Sequence, residues 1–271
     1  MLGSLSFVFP MYNEEENIER MVAETLAVAG WVARDYEIVI VDDASTDRSG
    51  ELADRLASRH PEVRVIHHEV NRKLGGTLRT GFAAARKEFV LYIDSDLPID
   101  MGDVPDAAAR LDGADMLIGY RLSRAEGPKR AIMSWGYNRL IRAAFGLKVR
   151  DVNFAFKLFR RDMLKDVALT SEGSFIDAEL LIEAHRHGYS LREHGLNYYP
   201  RVAGVSNLSG LGIVAKILRE MAVYMVRRKP VDAAAKRARI HARKVVSIKD
   251  AKAVRQAVSH EKRRGREKRM G

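Results

Sequence analysis

The chain has 271 residues, with 46 Lys/Arg against 36 Asp/Glu, a formal charge of +10 and no cysteine. That length fits one α/β domain plus an extension, and the lack of cysteine excludes disulfides, zinc ribbons, thiolate clusters and a cysteine nucleophile. The charge is not spread evenly: residues 229–271 hold 15 Lys/Arg and 4 Asp/Glu, a net of +11, which leaves −1 for residues 1–228. A neutral body with a basic arm suggests an anionic surface as partner.

In chain order, short β-rich apolar runs alternate with helical patterns. Strands are expected at 5–9, 37–41, 63–67, 89–93 and 115–119. Helices are expected at about 15–29, from 45–47 onward, from 75–76 to about 86, and near 104–111. Ser45, Thr46 and Asp47 are suited to cap the second helix. Alternation of this kind means βαβ units and a largely parallel sheet. Beyond Gly119 the pattern predicts a helix at 132–145, a strand at 155–159, a helix at 176–187 and a strand at 191–199. Residues 210–228 form an amphipathic helix with Leu211, Val214, Ala215, Leu218, Met221, Ala222 and Met225 as its apolar stripe. The basic segment after Pro230 has too few large apolar residues for a core of its own.

No stretch reaches the roughly 18 uninterrupted apolar residues of a spanning helix. The first residues lack a basic n-region and soon meet Glu14, Glu15 and Glu16, which argues against a secretory signal. The expectation is a protein in the cytoplasm or on the cytoplasmic face of a membrane.

Ligands of open parallel sheets sit beyond the carboxyl ends of the strands. The first strand ends in Pro10-Met11-Tyr12-Asn13-Glu14, with no glycine-rich turn for a phosphate. Its carboxylates favour the positive helix end themselves, so hydride transfer on a dinucleotide fingerprint is not expected. The loop can stack a base or bond a ribose, and an ordinary charged helix start accounts for it as well. The second strand ends in Asp42-Asp43, whose adjacent carboxylates suit base imino groups and ribose hydroxyls. A turn with a helix cap is the plainer reading. The fourth strand delivers Asp94 and Asp96 at i and i+2 into a loop. Alone this is a common solvated turn. After an apolar strand it suits a hard divalent cation, Mg2+ or Mn2+, bound through oxygen.

Together these loops resemble the GT-A glycosyltransferases of family 2. Asn71 to Gly76 with Gly81, and Gly119-Tyr120-Arg121, are similar to that family's glycine-lysine segment and G-S/Y-R. Asp151 to Phe159 and Arg201 to Ser206 resemble elements of the polyprenyl-phosphate sugar synthases, the dolichyl-phosphate mannose and glucose synthases among them. The resemblance covers residues 5–228. It implies a GT-A fold, with residues 1–209 as catalytic domain, 210–228 as interface helix and 229–271 as basic tail.

The resemblance also implies roles. Pro10, Tyr12, Glu14, Asp42 and Asp43 would hold the nucleoside of a nucleotide sugar. Asp94 and Asp96 would hold the metal and the donor diphosphate. Arg121 and Arg201 would meet phosphates, for which a guanidinium fork is suited. Lys73 and Ser206 are weaker candidates. Asp177 and Glu179 would line the site, Asp177 where relatives with hydroxyl acceptors place a base. Three departures stand out: Pro98 replaces a polar residue, leaving water or Asp100 as a further metal ligand; Ala155 replaces a glycine; and Arg72 replaces another.

The implied reaction is one inverting displacement by a phosphate oxygen of a polyprenyl or dolichyl phosphate. That oxygen is already anionic, so no strong base is needed. The implied donor is of the GDP-mannose or UDP-glucose type. The helix at 210–228 with the basic arm makes a two-signal anchor for an anionic membrane, with or without a membrane subunit. A saccharide acceptor, and a non-enzymatic nucleic-acid binder using the tail, are the alternatives. Nucleic acid is not expected, because it leaves the strand-end carboxylates without a role. His67-His68 and His185-x-His187 lack the spacing of helical metal ligands and read as satisfied or surface residues.

Overall fold

The computed structural model describes residues 1–122, 128–199 and 211–232, with 234, 236 and 238; of 128–132 and 211–215 only the backbone is described. The strands are β1 (Leu2–Met11), β2 (Ala33–Asp42), β3 (Val63–His67), β4 (Phe89–Ile93), β5 (Met116–Arg121), β6 (Phe156–Arg160) and β7 (Leu191–Leu196). The α-helices are α1 (Ile18–Val32), α2 (Ser49–Arg59), α3 (Lys73–Ala84), α4 (Val104–Ala109), α5 (Pro128–Phe145), α6 (Ile176–Arg186) and α7 (Leu211–Arg227).

The strands form one sheet in the order β3-β2-β1-β4-β6-β5-β7. The pairs β1–β2, β1–β4, β2–β3 and β5–β7 are parallel. Only β6 runs against its neighbours, pairing antiparallel with β4 and β5. This is the mixed α/β, mostly parallel sheet expected from the sequence. Successive strand residues point to opposite faces. Phe7, Phe9, Leu91 and Ile93 pack on one side with Ile18, Met21 and Val22 of α1. Val8, Val90 and Tyr92 pack on the other with Leu78 and Phe82 of α3 and Leu180 and Leu181 of α6. Burial on both faces explains why the strands read as continuous apolar runs.

The strand expected over 191–199 ends at Leu196, and two helices start later than expected. The first helix begins at Ile18 rather than near Glu15, because the Glu14 carbonyl accepts the N–H groups of Asn17 and Ile18 in a preceding turn. Helix α2 begins at Ser49, not at Ser45–Asp47. Ser45 and Thr46 are instead engaged by Asn13, and Asp47 takes the Ser49 N–H at 2.9 Å.

The apolar stripe of the last helix also differs. Met221 is buried, but Leu218, Ala222 and Met225 face outward, and the inward side is completed by Tyr224 and half-buried Ile217. Tyr224 can go inside because its hydroxyl donates to Glu183 of α6 while its ring meets Phe145 and Phe175. The side chains of Leu211, Val214 and Ala215 lie outside the described residues. Among the described residues no helix is long and apolar enough to cross a membrane.

Candidate active site

The loops after β1 and β2 are laced together. Asn13 donates its backbone N–H to Ser45 Oγ at 3.0 Å, and its side-chain oxygen accepts the Thr46 N–H at 2.8 Å. The Glu14 N–H reaches Ser49 Oγ at 2.7 Å, and the Arg48 N–H reaches Glu15 at 3.1 Å. Asn17 donates to the buried Glu14 carboxylate at 2.7 Å. Tyr12 stays exposed at the rim. Pro10 sits in β1 beside Val41, and its carbonyl accepts a short hydrogen bond from Ser95.

Asp42 and Asp43 are both buried, and each meets a histidine from the end of β3. Asp42 contacts His67 Nδ1 at 2.9 Å, and Asp43 contacts His68 Nδ1 at 2.7 Å. Asp42 also accepts the Ser45 N–H at 3.1 Å, and Asp43 the Arg72 N–H at 2.7 Å. Each histidine has a further partner, Asp54 for His67 and Thr80 for His68. The hydrogen bond from Asp54 leads in holding the His67 ring above its ordinary value; Asp42 adds to it, and partial burial opposes it.

Across the switch from β1 to β4 the chemistry changes. Asp94 accepts from the Tyr92 hydroxyl at 3.0 Å. Lys157 of β6, fully buried, donates to Asp177 in the first turn of α6 and to the Phe154 carbonyl at 3.0 Å. Its ammonium lies 5.3 Å from the Tyr92 ring centroid. The register explains this, since Tyr92 and Lys157 are cross-strand partners. Burial pushes Asp94 up to about 7, with the charges of Asp96 and Asp177 adding to it and Tyr92 and Lys157 opposing it.

That donor set fits a divalent cation. It offers oxygen only, and Mg2+ commonly takes one or two carboxylates plus water and substrate phosphates. Among the described residues no three His, Cys, Asp or Glu side chains form a closed metal cluster. Two carboxylates with open positions are what a substrate-bridging metal needs, whereas a structural metal needs a full shell. Asp100 accepts the Gly102 N–H on Oδ1 at 2.8 Å and caps the 3-10 turn Met101–Asp103.

Backbone strain gathers here. Of the five non-glycine residues with positive φ among the described residues, Asn13, Ala44, Lys73 and Leu97 lie in these loops, with φ of 54°, 60°, 60° and 47°. Each such residue costs on the order of 1–3 kcal/mol, and such costs cluster at functional sites. For Leu97 the turn is closed by its N–H to the Asp94 carbonyl at 3.1 Å.

The remaining sequence candidates fall in different places. Arg121 is gripped by Asp151 through Nε at 2.7 Å and Nη2 at 3.0 Å. It lies near the Phe154 and Tyr198 rings, with centroids at 5.7 and 5.4 Å. Its described charge partner is thus a carboxylate. Lys73 is exposed and pairs with Glu172 at 3.3 Å. Arg201 and Ser206 lie outside the described residues, as does most of the basic tail. Asp177 and Glu179 diverge: Asp177 meets Lys157, while buried Glu179 accepts the N–H groups of Thr170 and Ser171 at 2.9 and 2.8 Å. Glu179 therefore holds a loop and does not line the cluster.

The sequence placed Asn13 and Lys157 inside motifs without a role for either, and His67 and His68, expected as satisfied or surface residues, are held by Asp42 and Asp43. Lys157 carried one available signal, a charge inside the otherwise apolar run Phe156-Lys157-Leu158-Phe159, where an unpaired cation is costly.

Comparison with known proteins agrees with this geometry. Residues 6–168 match the family model described as Glycosyl transferase family 2. The glycosyltransferase AglD of Haloferax volcanii is 31% identical over 79% of this chain and 36% of its own length. The dodecaprenyl-phosphate galacturonate synthase of Rhizobium johnstonii is 31% identical over 72% of this chain and 61% of its own. The chain thus spans about a third and about three-fifths of those two relatives. The polyprenol monophosphomannose synthase of Mycolicibacterium smegmatis is 29% identical over 76% of this chain and 81% of its own. Among solved structures, the glucosyl-3-phosphoglycerate synthase of Mycobacterium tuberculosis, in complex with Mn2+ and uridine-diphosphate-glucose, superposes with a TM-score of 0.64. It is 19% identical and covers 85% of this chain and 80% of that one, a likeness of fold.

Proposed function

The chain belongs to glycosyl transferase family 2, and from that premise we propose that it moves a glycosyl unit from a nucleotide sugar to a polyprenyl phosphate. The observation that carries this reading is one juxtaposition at the carboxyl end of one sheet. Two histidine-bound carboxylates, Asp42 and Asp43, stand at β2, and the Asp94, Asp96 and Asp177 group surrounds buried Lys157. The acceptor class is supported by the names of two relatives, a dodecaprenyl-phosphate galacturonate synthase and a polyprenol monophosphomannose synthase.

In this reading Pro10, Tyr12, Glu14, Asp42 and Asp43 hold the nucleoside. Asp94 and Asp96 hold Mg2+ or Mn2+, which neutralises charge on the donor diphosphate when bound. Lys157 keeps Asp177 oriented. A phosphate oxygen of the acceptor attacks the anomeric carbon as the bond to the diphosphate breaks, with inversion. The acceptor oxygen is anionic, so positioning carries most of the rate. Arg121, Arg201, Lys73 and Ser206 are the phosphate contacts; Arg121 serves only by sharing or exchanging Asp151.

Residues 1–209 form the catalytic unit, 210–228 the interface helix and 229–271 a basic arm on the anionic cytoplasmic face of a membrane, alone or with a membrane subunit. The outward side of α7 supports this: Leu218, Val223, Met225 and Val226 are exposed, Val226 at 86%. Trp135 of α5, the helix that meets α7 through Phe145 and Tyr224, is exposed as well. Each basic residue near such a leaflet adds about 1 kcal/mol.

The test supplies labelled GDP-mannose or UDP-glucose, divalent metal and vesicles containing polyprenyl phosphate. Label should enter the lipid fraction, and D96A should lower the rate about a thousandfold, the loss of several kcal/mol of charge stabilisation. No lipid-bound label from either donor, or a D96A rate equal to wild type, defeats the reading.

A further inference from the structure

Glu220 lies midway along α7 on the side that buries Met221 and Tyr224. Its Oε1 accepts the Gly173 N–H at 2.8 Å and its Oε2 the Phe175 N–H at 3.2 Å. Those two donors belong to the turn that opens α6. The first N–H groups of a helix have no intrahelical acceptor, and a carboxylate there also meets the positive end of the helix dipole. Phe175, the residue before α6, provides no side-chain cap of its own. The cap comes from another helix, 45 residues further along the chain.

The turn is held from its other side too. Glu179 takes the N–H groups of Thr170 and Ser171, and the Glu172 carbonyl accepts the Gly75 N–H at 2.7 Å. Gly75 admits no side chain, since a Cβ would lie 2.1 Å from the Ser171 carbonyl oxygen. Two residues past Phe175 stands Asp177, bound to Lys157. Burial raises the hydroxyl of Tyr137 on α5, and the charges of Asp177 and Glu220 raise it further. A second contact pins α7 to the body of α6, through Tyr224, Arg186 and Glu183. The Tyr224 ring also packs on Phe175, and among the described residues Glu220 adds the hydrogen bonds from α7 to this turn.

We propose that Glu220 is a positioning residue: it fixes the first turn of α6 and, through it, the Asp177–Lys157 pair beside Asp94 and Asp96. Helix α7 is thereby a working part of the site as well as a docking surface. The kinetic side of this inference rests on the transferase reading above; the structural side does not.

Gly173 gives a second way to perturb the contact. A Cβ there would lie 2.5 Å from Glu220 Oε1, the flexible end of that side chain, so G173A displaces the carboxylate without removing it. The experiment compares full-length wild type, E220A, E220Q, G173A and the G173A/E220A double variant, with circular dichroism and thermal melting to check folding. Hydrogen exchange at the backbone amides of 173–178 should accelerate about tenfold in E220A and G173A, and exchange in β1 and β2 should not change.

In the transfer assay kcat should fall about tenfold while the KM for the nucleotide sugar stays within about twofold. E220Q should be intermediate, because an amide has one acceptor oxygen. The double variant should be no worse than either single one, as for two changes at one contact. Unchanged exchange at 173–178 overturns the inference. So does accelerated exchange with a wild-type kcat, or a change confined to KM. If the wild type itself transfers no sugar, the transferase reading falls and the exchange arm alone decides whether Glu220 orders the turn.

Discussion

At the ends of β1 and β2 the buried carboxylates are matched by donors of their own. Asp42 has His67 and the Ser45 N–H, Asp43 has His68 and the Arg72 N–H, and Glu14 has Asn17. At the end of β4 the Lys157 ammonium is bound to Asp177, and Asp94, buried near Asp96 and Asp177, is driven up to about 7. Both regions are acidic loops at the same edge of one sheet, yet in the first each carboxylate is held by hydrogen-bond partners of its own, while in the second burial and neighbouring carboxylates act together on Asp94. A satisfied carboxylate in a rigid loop can recognise a neutral hydrogen-bonding ligand without rearranging. A cluster of carboxylates gains most from a cation. The contrast supports the proposed division, with nucleoside recognition on one side and metal with diphosphate on the other.

The largest effect that sharpens this contrast is at Lys157. Removing one partner of a buried ion pair leaves the other charge uncompensated, at a cost of about 3–5 kcal/mol. K157M should therefore lower unfolding free energy by about that much in a urea titration. K157M/D177L, which removes both charges, should recover most of the loss. A double variant as unstable as the single one would mean that Lys157 acts by packing and not by compensating Asp177. A smaller effect is expected on the β2 side. D43N removes a charge-assisted contact to His68, and donor affinity should fall about tenfold by calorimetry with a nucleoside diphosphate. Mn2+ binding measured without nucleotide should stay at the wild-type value. Loss of metal binding in D43N would erase the division between the two regions.

The sequence displayed these regions unequally. The run Val90-Leu91-Tyr92-Ile93 ending in Asp94 and Asp96 is local, and it was legible because an apolar strand must stop before its carboxylates. Lys157 was not, because its place depends on β6 inserting antiparallel between β4 and β5, a register fixed by residues more than sixty positions away. Asn13 was missed for a similar reason: its φ of 54° and its bonds to Ser45 and Thr46 come from a loop-to-loop contact, which propensity does not encode. The same contact delays α2 to Ser49. The stripe of α7 misread its inward face because Glu220 and Tyr224 count as polar, yet each finds a partner on or just before α6.

The smallest effect bears on how the carboxylates of the β2 side are matched. His67 is held above its ordinary value by its hydrogen bonds to Asp54 and Asp42. A histidine whose folded value is raised binds its proton more tightly when folded than when unfolded. Its contribution to stability is therefore complete below the unfolded value of about 6.5 and is lost as pH rises through the raised folded value. H67Q should narrow the difference: the gap in urea midpoint between wild type and variant should be larger near about pH 6 than near about pH 9. The His67 side chain is 42% exposed and that of Asp54 is 65% exposed, so the gap should be small and should shrink further in high salt. A gap that does not change with pH would mean that His67 faces Asp42 as a neutral hydrogen-bond partner. The β2 side would then be matched by hydrogen bonds alone, and the two regions would differ in geometry rather than in charge.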